Sequence, residues 1–113
     1  MYLRNCWYIA ASPDEIGEEP LDRTFLGDAV VLFRGADGTV SALEDRCCHR
    51  SLPLSMGQVK GDHLQCGYHG LEFDASGACV SVPGQSLVPP GAAVRCYPMV
   101  ERHNWLWIWM GDP

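Results

Sequence analysis

The sequence predicts an all-β domain of short antiparallel strands, and three observations carry that expectation. Three segments read strand, turn residues, strand; no window sustains the 3.6-residue periodicity of a helix; and apolar residues come in short runs, the longest being Trp105 to Met110. At 113 residues and 47% hydrophobic composition, the chain can bury one modest core, and residues 1–113 are expected to form a single domain.

The elements follow in order. After Arg4 the apolar run from Cys6 to Ala11 is too short for a secretory leader, and no cleavage-like site follows it. Ser12-Pro13-Asp14-Glu15 reads as a single capped helical turn, with a serine before a proline at the first helical position. Ala29 to Arg34, Gly35-Ala36-Asp37-Gly38 and Thr39 to Leu43 read as a hairpin. Leu71 to Phe73, Asp74-Ala75-Ser76-Gly77 and Ala78 to Val82 repeat the pattern, and Pro83 to Ala93, rich in Pro, Gly and Ser, reads as a surface loop. Tyr97 to Glu101, a polar Arg102-His103-Asn104 tip and Trp105 to Met110 make a third hairpin. In its last strand Trp105, Trp107 and Trp109 alternate with Leu106, Ile108 and Met110, so the strand is apolar on both faces and expects cover on both.

A formal charge of −6 argues against a nucleic-acid or anionic-membrane partner. The acidity gathers in residues 14–28, whereas Arg46, Arg50 and Lys60 balance Glu44, Asp45 and Asp62 between 44 and 70. No apolar run is long enough to span a bilayer. Six cysteines without a secretory leader point to metal or redox chemistry in the cytoplasm before disulfides. Cys6, Cys79 and Cys96 are expected to be small buried hydrophobes.

The chemistry sits in Arg46-Cys47-Cys48-His49-Arg50 and, further along, Cys66-Gly67-Tyr68-His69. Cys47 and His49 give Cys-x-His; sixteen residues later Cys66 and His69 give Cys-x-x-His. A structural zinc finger usually pairs cysteine with cysteine and histidine with histidine. Mixed pairing suits two chemically different metals: if the loops face each other, Cys47 and Cys66 hold one iron and His49 and His69 the other, the arrangement of a Rieske [2Fe–2S] centre. Cys47 is preferred to Cys48 because residues two apart can turn to the same side of an extended loop, whereas neighbours point apart. Once His49 and His69 are committed, only His63 and His103 remain, and both read as solvated. A mononuclear iron site needs two histidines and a carboxylate with open positions, so this chain is expected to carry electrons and hydroxylate nothing.

Beyond these loops the sequence resembles the Rieske non-haem iron aromatic-ring oxygenases, and most nearly the oxygenase components of vanillate O-demethylase and related methoxybenzoate demethylases. The resemblance runs through Asn5-Cys6-Trp7-Tyr8, Leu43-Glu44-Asp45, His69-Gly70-Leu71-Glu72-Phe73, Val100-Glu101-Arg102 and Trp107-Ile108-Trp109-Met110-Gly111-Asp112. It departs at Cys48, where family members commonly carry proline; the loop gains a backbone N–H and loses stiffness there. It implies a Rieske fold of small antiparallel sheets with the two ligand loops capping the cluster, followed in the full protein by a catalytic domain with a mononuclear iron. It also implies a flavin- or ferredoxin-type reductase fed by NADH as electron donor, a homo-oligomer (a trimer when full length), and His69 as the exit toward the catalytic iron.

High-potential respiratory Rieske proteins carry a disulfide between the ligand loops and serine and tyrosine hydroxyls aimed at the cluster sulfurs. The matching positions here are Leu52 and Tyr68, and Leu71 and Phe73, which supply neither. If each lost donor is worth ~1 kcal/mol, the potential falls by about 40 mV per donor, toward the low end of the Rieske range, on the order of −150 mV to near zero. Leu52, Pro53, Leu54 and Met56 either form a docking surface or simply shield the cluster. Two other functions fit the sequence less well: a free-standing Rieske ferredoxin shuttle and a zinc-stabilised binding module.

Overall fold

A computed structural model describes residues 4–46, 53–67, 70–84 and 92–111. Among these the chain forms eleven strands and two single-turn 3-10 helices, Pro13–Glu15 and Leu54–Met56, with no α-helix. The strands are β1 (Cys6–Ala11), β2 (Leu21–Phe25), β3 (Asp28–Arg34), β4 (Val40–Glu44), β5 (Gln58–Lys60), β6 (His63–Gln65), β7 (Glu72–Phe73), β8 (Cys79–Ser81), β9 (Cys96–Tyr97), β10 (Met99–Arg102) and β11 (Trp105–Met110). They assemble into three antiparallel sheets, ordered β1-β11-β10, β2-β3-β4-β9 and β5-β6-β7-β8. No helix of the described residues is long and apolar enough to cross a membrane.

The β2-β3-β4-β9 sheet is the central layer. Along β3, Val30 and Leu32 face one core with Ala42, Tyr97, Leu106, Ile108 and Met110. Val31 and Phe33 face a second core with Leu43, Leu54, Leu64, Cys66 and Phe73. That double burial explains why β3 reads as a continuous apolar run instead of alternating. It also means the chain builds two small cores, one on each side of the central sheet, where its length suggested one.

All three expected hairpins are present, as β3–β4, β7–β8 and β10–β11. The last closes through a two-residue turn, His103-Asn104, both at positive φ (58° and 64°), the turn geometry that matches strand twist. The β7–β8 turn is closed by Asp74, whose Oδ1 accepts from the Ser76 N–H (2.9 Å), the Ser76 hydroxyl (2.6 Å) and the Ala78 N–H (3.1 Å). Partial burial pushes this carboxyl up, but those three hydrogen bonds outweigh it and hold its pKa below the usual carboxylate range. The capped turn after Ser12 is present too: the Glu15 carboxylate accepts from the Ser12 N–H (2.8 Å) and hydroxyl (3.2 Å) and pairs with Arg23.

Two expectations need correction. The segment from Tyr97 to Glu101 is not one strand: Tyr97 pairs with Ala42 of β4, while Met99 to Arg102 pair with β11. Pro98 sits between the two pieces, with no N–H to continue a ladder, and the chain changes sheets there. The surface loop expected over Pro83 to Ala93 is described only at its ends, where Pro83, Gly84 and Ala93 are exposed. Cys79 N–H donates to Ala92 O (2.9 Å) and Ala93 bridges Ala78, while residues 85–91 lie outside the described residues. Of the three cysteines expected to be buried, only Cys79 is; Cys6 is half-buried and Cys96 exposed. Finally, β1 and β2 carried no strand signal that the sequence reading used, yet β1 pairs with β11 over Cys6↔Met110 to Ala11↔Leu106.

Candidate metal centre

The two loops expected to carry the ligands leave different sheets, and their stems are brought together by packing. The first departs from the end of β4. Asp45 N–H donates to Ala29 O (3.0 Å), extending the β3–β4 ladder by one rung, and Glu44 N–H donates to Arg95 O (2.8 Å). Arg46, ion-paired to Glu44 at 3.0 Å, is the last described residue before Cys47. The chain re-enters at Pro53 and makes the 3-10 turn Leu54–Met56, whose Leu54 is fully buried in the second core.

The second loop joins β6 to β7. Its base is a continuation of their ladder: Cys66 N–H donates to Leu71 O (2.7 Å) and Gly70 N–H to Cys66 O (3.2 Å), with the Gln65 side-chain amide on Gly70 O (3.4 Å). Cys66 therefore sits at the root of a tight turn, its free thiol buried among Leu54, Leu64, Leu71 and Phe73.

The loops meet at Gly57. A Cβ on this residue would lie 1.8 Å from Gln65 O and 3.2 Å from Gly67 N, so only glycine allows the approach. A Cβ on Gly67 would likewise lie 3.1 Å from Met56 O. A shallow recess of about 240 Å³, lined by Met56, Gly57, Gln58, Gln65, Cys66, Gly67 and Gly70, opens at this junction. The chain leaving the first loop is thus in backbone contact with the chain entering the second.

Of the four expected ligands, Cys66 is described and occupies this junction; Cys47, His49 and His69 lie outside the described residues, as do Cys48, Leu52 and Tyr68. No group of three or more His, Cys, Asp or Glu among the described residues is placed to hold a metal ion. The donor chemistry fits a [2Fe–2S] cluster: a buried thiol at a loop root, with the first ligand loop anchored within backbone contact of it. His63 is not simply solvated, since its Nδ1 lies 3.2 Å from Glu72 Oε1, whereas His103 stands exposed at its turn. Leu54 is buried, as the shielding alternative has it, while Met56 is 74% exposed. Leu71 and Phe73 are buried in the second core and bring no hydroxyl toward the loop.

The sequence reading passed over Asp45, Ser55 and Gly57. Their signal was present: Asp and Ser are residues that hydrogen-bond nearby backbone, and a glycine directly after a short turn marks a close approach.

An all-β domain with a buried cysteine where the two expected ligand loops meet fits an iron–sulfur domain. The chain belongs to the Rieske [2Fe-2S] domain family, whose model matches residues 6–98. It is 54% identical over 114 residues to the toluene-4-sulfonate monooxygenase system iron-sulfur subunit of Comamonas testosteroni, covering 100% of this chain and 33% of that protein. It is 43% identical over 112 residues to a vanillate O-demethylase oxygenase subunit of Pseudomonas sp., covering 99% of this chain and 31% of that one. The crystal structure of apo dicamba monooxygenase superposes with a TM-score of 0.95 at 50% identity, over 99% of this chain and 35% of that one. The chain is therefore a Rieske domain homologous to oxygenase components, and it spans about one third of the length of the curated relatives it matches.

Proposed function

We propose that this chain is the electron-carrying Rieske domain of an aromatic-ring oxygenase or O-demethylase. It would take electrons from a flavin- or ferredoxin-type reductase fed by NADH and pass them to a mononuclear iron in a separate catalytic domain. Cys47 and Cys66 would hold one iron of the cluster and His49 and His69 the other, with His69 facing the electron acceptor. Once bound, the cluster supplies reversible one-electron chemistry at low potential. The protein's part is to present the four donors and to shield them. The second core does the shielding around Cys66, and the β6–β7 ladder and the Gly57 contact hold the loop roots in register.

The observation that carries this reading is the backbone contact of the two ligand-loop stems beside a buried cysteine. A second observation favours a domain of a larger enzyme over a free-standing ferredoxin. On the outer face of the β1-β11-β10 sheet, Ile9 and Val100 flank Trp107, and Trp7 packs edge-on against Trp109 at 5.5 Å. Trp7, Ile9, Val100 and Trp105 are each roughly 40–50% exposed on this face. A self-sufficient carrier gains nothing from such a face, while a domain that docks on a second domain uses it. In that setting residues 1–113 are one domain of a homo-oligomeric enzyme, a trimer on the family pattern. With Cys66 given to the cluster, the unbridged Cys6 and Cys96 support a cytoplasmic location.

Iron and acid-labile sulfide analysis tests the reading directly. Two irons and two sulfides per chain are expected. Cys47→Ser and Cys66→Ser should abolish the red-brown colour and Cys48→Ser should keep it. Zinc in place of iron, or a colourless Cys48→Ser beside a coloured Cys47→Ser, would refute the function or the ligand assignment respectively.

A further inference from the structure

We infer that Asp45 and Ser55 form a clasp across the first ligand loop, and that this clasp seats the cluster by holding the loop's two stems against each other. The inference rests on the reading that this loop supplies Cys47 and His49.

The clasp is fully matched. Ser55 N–H donates to Asp45 Oδ1 at 2.7 Å and the Ser55 hydroxyl donates to Oδ2 at 2.7 Å. Both carboxylate oxygens and both Ser55 donors are engaged. Two short bonds to the two oxygens of one carboxyl group fix direction as well as distance. Asp45 is two residues before Cys47, and Ser55 follows the loop's return at Pro53, so the pair closes the loop at its root.

Each half of the clasp is anchored. Asp45 is held to the central sheet by its own N–H on Ala29 O (3.0 Å). Ser55 lies between Leu54, fully buried in the second core, and Met56, whose carbonyl abuts Gly67. Gly57 then touches Gln65, the residue before Cys66. A continuous mechanical path therefore runs from the central sheet through Asp45 and Ser55 to the root of the second ligand loop. Without the clasp, the entropy of bringing the loop's two ends together is offset by packing alone. With it, the loop's ends are fixed before the cluster arrives, which is how a site holds its ligands in one arrangement. Asp45 and Ser55 are thus positioning residues, since neither is among the ligands.

The test uses the 113-residue chain loaded with iron and sulfide, with cluster loss to a chelator followed by visible absorbance and g-values read by EPR after reduction. Asp45→Ala should lose its cluster about 10- to 100-fold faster, the range seen when partners that orient metal ligands are removed, and should shift or broaden the g-values. Ser55→Ala, which keeps the backbone donor, should show a smaller change in the same direction, and Ser55→Thr should restore the original lifetime. If Asp45→Ala does not fold, the Ser55→Ala and Ser55→Thr pair carries the comparison. Lifetimes and g-values indifferent to both alanine variants would overturn the clasp, as would a lower melting temperature with an unchanged spectrum and lifetime. An unsubstituted chain that takes up no cluster, or a Cys66→Ala variant that keeps one, would instead overturn the ligand reading beneath it.

Discussion

Replacing Gly57 by alanine should disrupt the metal centre without touching a ligand. The added Cβ would lie 1.8 Å from Gln65 O and 2.9 Å from the Gln65 carbonyl carbon, both backbone atoms that no rotamer change can move. Carbon and oxygen approach each other no closer than roughly 3.3 Å, so the two strands of chain must part by about 1.5 Å. That separation falls between the stem of the first ligand loop and the residue preceding Cys66. Overpacking of this kind costs about 1–3 kcal/mol, and more where the obstacle is backbone, so about 3 kcal/mol is expected here. For a domain of this size, that corresponds to a fall of roughly 12 °C in melting temperature. The assay is thermal unfolding by circular dichroism together with iron content after reconstitution. Gly17→Ala is the control, because a Cβ there meets nothing within 4 Å. A Gly57→Ala protein with wild-type melting and full iron would refute the reasoning, since the loops would then be shown to separate freely.

Three further outcomes follow from the same structure. Asp74→Ala should destabilise the β7–β8 hairpin by about 1–2 kcal/mol at neutral pH, the usual scale for a lost cap. Because Asp74 has a lowered folded-state pKa, its contribution is complete above the unfolded value of 3.8 and fades as pH falls through the folded one, so the two melting curves should converge in acid; a gap that persists there would exclude the carboxylate as its source. Making the outer face of β11 polar, by Trp105→Gln with Val100→Thr, should weaken self-association of the isolated chain in sedimentation velocity, and a wild-type chain that is already monomeric at high concentration would favour the ferredoxin alternative. Leu71→Ser with Phe73→Tyr should raise the reduction potential by about 40 mV per restored sulfur donor; voltammetry showing no rise with an intact cluster would mean that the hydroxyls do not reach it.

What the sequence determined by itself was local or repetitive in kind. Turn residues announced the β3–β4, β7–β8 and β10–β11 hairpins, because a hairpin's turn and its pairing lie within a dozen residues of each other. Alternation in Trp105–Met110 announced the two faces, and burial of Leu106, Ile108 and Met110 against half-covered tryptophans follows it. The residue types and spacing of Cys47, His49, Cys66 and His69 suggested a Rieske cluster, a cofactor that the family match bears out, because ligand chemistry is written in residue types. Tertiary structure decided the rest. β1 is a strand because it finds β11 from the other end of the chain, and nothing in Cys6–Ala11 states that partner. Pro98 divides two strands only because two sheets lie within reach of it. Leu54 turned inward, where the sequence left shielding and docking both open, because the second core has a place for it beside Cys66. The contact of Gly57 with Gln65 and the clasp from Asp45 to Ser55 depend on how the 3-10 turn packs against two sheets at once. Such contacts join residues whose separation along the chain carries no period, so only the closed fold could place them.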